Sequence, residues 1–183
     1  MAELIGGRID RASYTALLHN LHAVYAALEP ALALATSWAP LLSRLQRLPA
    51  LRADLAWFSA AAEVPLALVP GTSAYVARLH GLAAQAPHRL AAHAYARYLG
   101  DLHGGQILAR LVQRRFALPD STGTAFYRFA DAAGVQGLAQ ALRQLLAALP
   151  LAQAQADEVA DEACWAFAAH VQIFEELQAP RAR

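Results

Sequence analysis

Residues 93–106 read His93-Ala94-Tyr95-Ala96-Arg97-Tyr98-Leu99-Gly100-Asp101-Leu102-His103-Gly104-Gly105-Gln106 and continue into the strongly helical run ILARLVQRRF, residues 107–116. With Pro87 able to occupy a first helical turn, this is the longest candidate helix of the chain, from about His88 to Phe116. Each glycine in a helix interior costs about 1 kcal/mol relative to alanine, so Gly100, Gly104 and Gly105 together cost roughly 3 kcal/mol, and something should compensate. Gly100 and Gly104 stand four apart and share a face, which makes a strip of bare backbone that a flat body can approach closely. Asp101 adjoins the strip and places a carboxylate beside whatever lies against it. Taken alone, a GxxxG of this kind fits two other arrangements as well: close packing of a second helix, or a turn between two helices.

Outward from this stretch, apolar residues recur at three- and four-residue spacing, and no alternation is long enough to argue for a sheet, so the class is all-α. Asp10 can cap a first helix whose stripe is Tyr14, Leu17, Leu18, Leu21, Val24, Tyr25 and Leu28, before Pro30 kinks or ends it. A second helix opens at Pro49 and carries Leu51, Leu55 and Phe58. Thr72, after a Pro70-Gly71 turn, caps a third with Tyr75, Val76, Leu79 and Leu82. Leu118 to Gly123 is a loop by composition. Helices of about 131–149 and 151–178 follow, with Leu142, Leu145, Leu146, Val159, Phe167, Val171 and Phe174 as core candidates.

The chain has 183 residues and shows no break in composition, which suits one domain over 1–183. It is 57% hydrophobic, yet charged residues, histidine or proline interrupt every apolar run before it reaches membrane-spanning length. MAELIGGRID has no signal-peptide pattern, so a cytoplasmic location is expected. The formal charge is +1 from 15 basic and 14 acidic residues scattered along the chain, which leaves no footprint for nucleic acid. Every basic residue is arginine. Cys164 stands alone, which excludes an intramolecular disulfide, a CxxC pair and a cysteine zinc cluster; it is expected to be a small buried hydrophobe.

HAYARYLGDLHGGQ, residues 93–106, closely resembles the heme oxygenase signature, in which His, Ala and Tyr precede Arg, then Tyr-Leu-Gly-Asp-Leu, one variable residue and Gly-Gly-Gln. The resemblance runs in order along the chain. GRIDRASYTALLHNLHAVYAALE, residues 7–29, is similar to the family's second helix with its Tyr-x-x-Leu-Glu ending; LRADLAWF, 51–58, matches a recurrent Asp-Leu-x-Phe/Trp segment; HVQIFEELQ, 170–178, matches the last core helix.

The resemblance implies a single-domain helical fold with a kinked distal helix crossing one face of heme. Gly100 and Gly104 match the porphyrin contacts, Asp101 the carboxylate that holds a proton-delivering water network, and Tyr25 a tyrosine of that network, although its spacing alone equally suits a core tyrosine. Tyr95 matches a tyrosine near a heme propionate, and Arg143 an arginine that pairs with one, where spacing alone suggests a solvated helix face. Ala139 stands where mammalian relatives have a second basic anchor, and Phe167 where an aromatic lines the pocket.

The implied activity is oxidative cleavage of heme to biliverdin, carbon monoxide and ferrous iron, with heme as both substrate and cofactor. Oxygen and an external electron donor, a reductase or ferredoxin-type protein, complete the reaction. The end QAPRAR has no apolar tail, which favours a soluble bacterial type.

The family's proximal histidine lies on a helix preceding the GRIDR-like segment, and no residue here matches it, so the metal ligand is unassigned. A downstream start, a truncated relative or another iron ligand would each account for this. His19 and His22, three apart, and His103 are the candidates for the last, while His170 reads as a satisfied core histidine. The alternative function is a noncatalytic heme- or bilin-binding protein; a third is a helical interaction domain.

Overall fold

The computed structural model describes residues 6, 9–59, 67–120, 122–129 and 132–179. Among them every regular element is helical. Helix α1, Arg11–Ala33, begins where the sequence places it: the Asp10 carboxylate accepts from the Ser13 N–H at 2.7 Å. Its whole expected stripe is buried. Pro30 does not end the helix, which runs on to Ala33. Pro30 lies on the exposed side, and burial of Leu32 on the other side holds the last turn in place.

A 3-10 turn, Thr36–Trp38, and α2, Ala39–Leu45, lie between the first two predicted helices; Trp38, Leu41, Leu42 and Leu45 seat them in the core. Helix α3, Leu48–Ser59, has Pro49 in its first turn and buries Leu51 and Phe58 as expected. Its start is tied to α1 by the buried Glu29 carboxylate, which accepts from the Arg47 N–H. Asp54, the acid of the LRADLAWF segment, accepts from the N–H groups of Ala125 and Phe126 at 2.9 and 2.8 Å. It thereby pins the 3-10 turn Ala125–Tyr127 against α3.

Helix α4, Pro70–Gln85, starts three residues earlier than the sequence suggests, with Val69 rather than Thr72 as N-cap. Thr72 therefore caps nothing, and its buried Oγ1 has no hydrogen-bond partner among the described residues. Two other helices satisfy the terminus instead: the Val69 N–H donates to Asn20 of α1 at 3.0 Å, and the Gly71 N–H to Glu176 at 2.7 Å. Pro at the first position needs no partner, which is why a proline can open the helix.

A 3-10 turn, Pro87–Arg89, then α5, Leu90–Ala94, a π-helical turn, Tyr95–Leu99, and α6, Gly100–Phe116, succeed one another without a break. Helices α7, Ala132–Ala147, and α8, Gln153–Gln178, close the chain; Asp131, the expected first residue of α7, lies outside the described residues. Helix α1 packs on α3 and α4, α8 on α4 and α5, and α6 on α7.

Helix α8 departs from the expected core. Phe167 and Val171 are 50% and 56% exposed, whereas Glu162, Ala166, His170 and Ile173 are buried. Glu162 occupies the inward face because it meets partners there. Arg78 donates to Glu162 through Nε and an NH2 at 2.9 and 2.6 Å, and His93 Nε2 lies 3.1 Å from the same carboxylate. Cys164, on the same helix, is exposed rather than buried.

The Glu162 carboxylate can only accept, so His93 donates to it from Nε2 and accepts the Tyr75 hydroxyl at Nδ1, 2.7 Å away. The ring is thus satisfied while neutral. Burial pushes its pKa down to about 4, against the opposing pull of Glu162. The unfolded chain, with an ordinary histidine near 6.5, takes up the proton first as the pH falls. The contribution of this site is therefore complete above about pH 6.5 and is lost towards pH 4, a difference of roughly 3 kcal/mol. Denaturant titrations at pH 7, 5 and 4 should show that loss, and His93→Gln should be less stable at pH 7 but flatter with pH. Parallel profiles for the two proteins would remove His93 from the acid response.

Candidate functional site

The π turn places the site. A π turn takes one residue more than the α-helical repeat, so the helix beyond it is rotated by roughly 100° relative to an uninterrupted one. Arg97, Tyr98 and Leu99 are buried before that change, whereas Gly100 is exposed and Gly104 half-buried after it.

The three glycines play two parts. A Cβ built at Gly100 or Gly104 would meet no atom of the described residues within 4 Å, so among them this strip of α6 lies open. Gly105 points the other way: its Cβ would lie 2.9 Å from the Tyr127 carbonyl oxygen, which fits a glycine required for packing against the Ala125–Tyr127 turn. Both close packing and an open face are present, one residue apart.

Asp101 sits beside the open strip with 12% of its side chain exposed. Arg97, one helical turn earlier, donates an NH2 to both carboxylate oxygens at 2.9 and 3.1 Å, and the Tyr25 hydroxyl of α1 donates to Oδ2. The Arg97 guanidinium also stacks over the Tyr25 ring, 5.4 Å from its centroid. Burial raises the pKa of the Asp101 carboxyl, against the pull of Arg97 and Tyr25. Burial likewise lifts the Tyr25 hydroxyl well above the ordinary phenol value, with the charge of Asp101 adding to it. Burial opposes the Arg97 charge, but Asp101 and Tyr25 outweigh it and the guanidinium is held firmly protonated.

Tyr25 is therefore both a fully buried core residue and a partner of the acid. Sequence reasoning misses Arg97. Its i,i+4 spacing to Asp101 is a usable signal, although on a helix surface such a pair is worth little.

Arg97, Gly100 and Asp101 border a cavity of about 180 Å³ that reaches Leu17 and Leu21 of α1 and Phe174 of α8. A second cavity of about 280 Å³ lies between α6 and α7, lined by His103, Ala139 and Arg143 among others. Both are smaller than the usual range for sites that enclose a drug-sized ligand.

The remaining candidates fall in two places. Arg143 meets His103 across the α6–α7 groove, NH2 to Nε2 at 3.2 Å. Tyr95 and Phe167, 44% and 50% exposed, stand edge to face with ring centroids 6.2 Å apart, so two aromatics from α8 and the π turn present one surface. Among the described residues no group of three or more His, Cys, Asp or Glu could hold a metal ion. His19 and His22 are half-buried on α1. Among the described residues His170 is only half satisfied: Nδ1 donates to the Ala166 carbonyl at 2.7 Å, while the buried Nε2 has no partner, and neither has Nε of Arg97.

Residues 1–176 match the family described as heme oxygenase. The chain is 36% identical over 191 residues to Heme oxygenase 1 of Nostoc sp., covering 97% of this chain and 80% of that protein. It is 39% identical over 193 residues to Heme oxygenase 1 of Synechocystis sp., covering 97% and 79%. The crystal structure of the Synechocystis heme oxygenase-1 in complex with heme superposes with a TM-score of 0.85 at 38% identity, over 97% of this chain and 82% of that one.

Proposed function

The chain belongs to the heme oxygenase family, and from that premise we propose that it binds heme against the Gly100–Gly104 strip and cleaves it oxidatively to biliverdin, carbon monoxide and ferrous iron. The observation that carries this reading is the pairing of an open, side-chain-free strip with a buried acid at its edge. A strip covered by another helix would have excluded a tetrapyrrole. The noncatalytic alternative is not favoured, because the acid is held in a built network rather than left as a relic.

Bound heme is both the group that activates oxygen and the molecule that is opened. The residues of the chain supply position and protons. Gly100 and Gly104 let main chain lie against the ring. Asp101, oriented by Arg97 and Tyr25, holds water at the edge of the strip; its raised pKa makes it a readier proton carrier than an exposed aspartate. The Tyr25 hydroxyl stays protonated and keeps the second carboxylate oxygen occupied. Arg143 and the Tyr95 hydroxyl would meet the propionates, since an arginine fork suits a carboxylate, and Phe167, against Tyr95, would border the ring edge.

An external electron donor of reductase or ferredoxin type completes the reaction. No described helix is long and apolar enough to cross a membrane, and we place the protein in a bacterial cytoplasm as one domain over 1–183. Heme added to the purified chain should produce a Soret band and, with reductant and oxygen, a rising biliverdin absorption. A Soret band without biliverdin would identify a binder only, and no spectral change would remove heme altogether.

A further inference from the structure

His103 occupies the variable position of the glycine segment, and the family match leaves it without a role. Its ring nitrogens are both engaged. Nδ1 lies 2.6 Å from the Leu99 carbonyl oxygen and Nε2 lies 3.2 Å from an NH2 of Arg143. A carbonyl can only accept and a guanidinium can only donate. One form of the ring satisfies both: neutral imidazole with its proton on Nδ1 and a free lone pair on Nε2 aimed at Arg143.

Arg143 is exposed on α7, and among the described residues no carboxylate lies within salt-bridge distance of it. The neighbouring groove positions on its own helix include Ala139 and the neutral Gln140, which supply no charge. The bond from His103 crosses from α6 and holds one NH2 of the fork. The other NH2 and Nε remain available to a carboxylate, and the open backbone of Gly104 begins one residue beyond His103.

We propose that His103 is a positioning residue: as a neutral hydrogen-bond acceptor it braces the Arg143 guanidinium over the α6–α7 groove, pre-oriented for a carboxylate on the edge of a flat ligand. The inference rests on the porphyrin reading of the strip, and its ligand chemistry is that of a porphyrin propionate. An arginine otherwise loses considerable side-chain freedom when it captures a carboxylate, and a brace formed beforehand removes part of that loss.

Metal-free protoporphyrin IX, whose binding needs no iron ligand, is the probe, with its dimethyl ester as the uncharged control. Affinities are read from porphyrin fluorescence. His103→Ala should weaken protoporphyrin binding about three- to tenfold, the range of one ordinary hydrogen bond. The same substitution in an Arg143→Ala background should change it less than about twofold, as coupled residues require. The dimethyl ester should bind the parent and His103→Ala alike. His103 is exposed, so its substitution leaves the core intact.

Long-range nitrogen–proton NMR of the ligand-free protein should show the Nδ1–H form of His103. Additive effects of the two substitutions, an equal loss for the ester, or a ring protonated at Nε2 would each overturn the brace while leaving porphyrin binding by the parent in place. A parent that binds neither heme nor protoporphyrin would overturn the brace and the porphyrin reading together.

Discussion

Asp101→Asn should bind heme within about twofold of the parent while forming biliverdin on the order of 100-fold more slowly, the usual scale for losing a positioned proton-transfer group. Asparagine nearly preserves the shape of the acid and keeps one oxygen that can accept from Tyr25 and Arg97, so the change removes the proton carrier, together with its charge, while disturbing the packing least. Asp101→Ala is the harsher comparison. Either variant leaves the Arg97 guanidinium, 8% exposed, without its carboxylate, and stranding a buried charge destabilises by about 3–5 kcal/mol; asparagine keeps one oxygen that accepts from Arg97, whereas alanine keeps none. The two variants should therefore share the catalytic defect and differ in melting temperature. Full turnover by Asp101→Asn would take the acid out of the mechanism, whatever its place beside the strip.

Gly104→Leu should show the opposite division, with a fold at least as stable as the parent and binding of heme weakened on the order of 100-fold. The stability gain comes from helix propensity, where leucine exceeds glycine by nearly 1 kcal/mol, about 0.8. No atom of the described residues lies within 4 Å of the new Cβ, so that gain is not cancelled by overlap with them. The binding loss arises because the side chain would stand where a flat ring must touch main chain, and overpacking of a close contact costs about 1–3 kcal/mol. Calorimetry and a Soret titration of the same sample separate the two effects. Undiminished heme affinity in Gly104→Leu would place the porphyrin elsewhere. Gly105 offers no such test, since its Cβ would press on the Tyr127 carbonyl and any substitution acts on folding first.

Much of this arrangement is legible in the chain because it is local. A 3.6-residue repeat, an aspartate at a helix start and prolines in first turns depend on a few neighbouring residues, and they place α1, α3, α7, α8 and the continuous run from α5 to α6 with small errors at their ends, but not the π turn inside that run. The larger departures have specific causes. Thr72 loses its expected cap because Asn20 and Glu176 reach the start of α4 from other helices. An apolar stripe predicts an apolar interface, which would put Phe167 and Val171 in the core, and here the inward face of α8 carries Glu162 and His170 instead.

The sequence by itself determined an all-helical chain, a glycine pair on one helical face and an acid next to it, since each depends only on residue identity and helical geometry. Tertiary structure alone decided that Gly100 and Gly104 open outward while Gly105 packs, that Tyr25 closes on an acid 76 positions away, and that His103 meets Arg143 40 positions away. Those outcomes depend on how helices turn and stack against one another, including the register change at the π turn. No periodicity within a single helix encodes them, because the energy that selects them is shared between elements far apart in the chain.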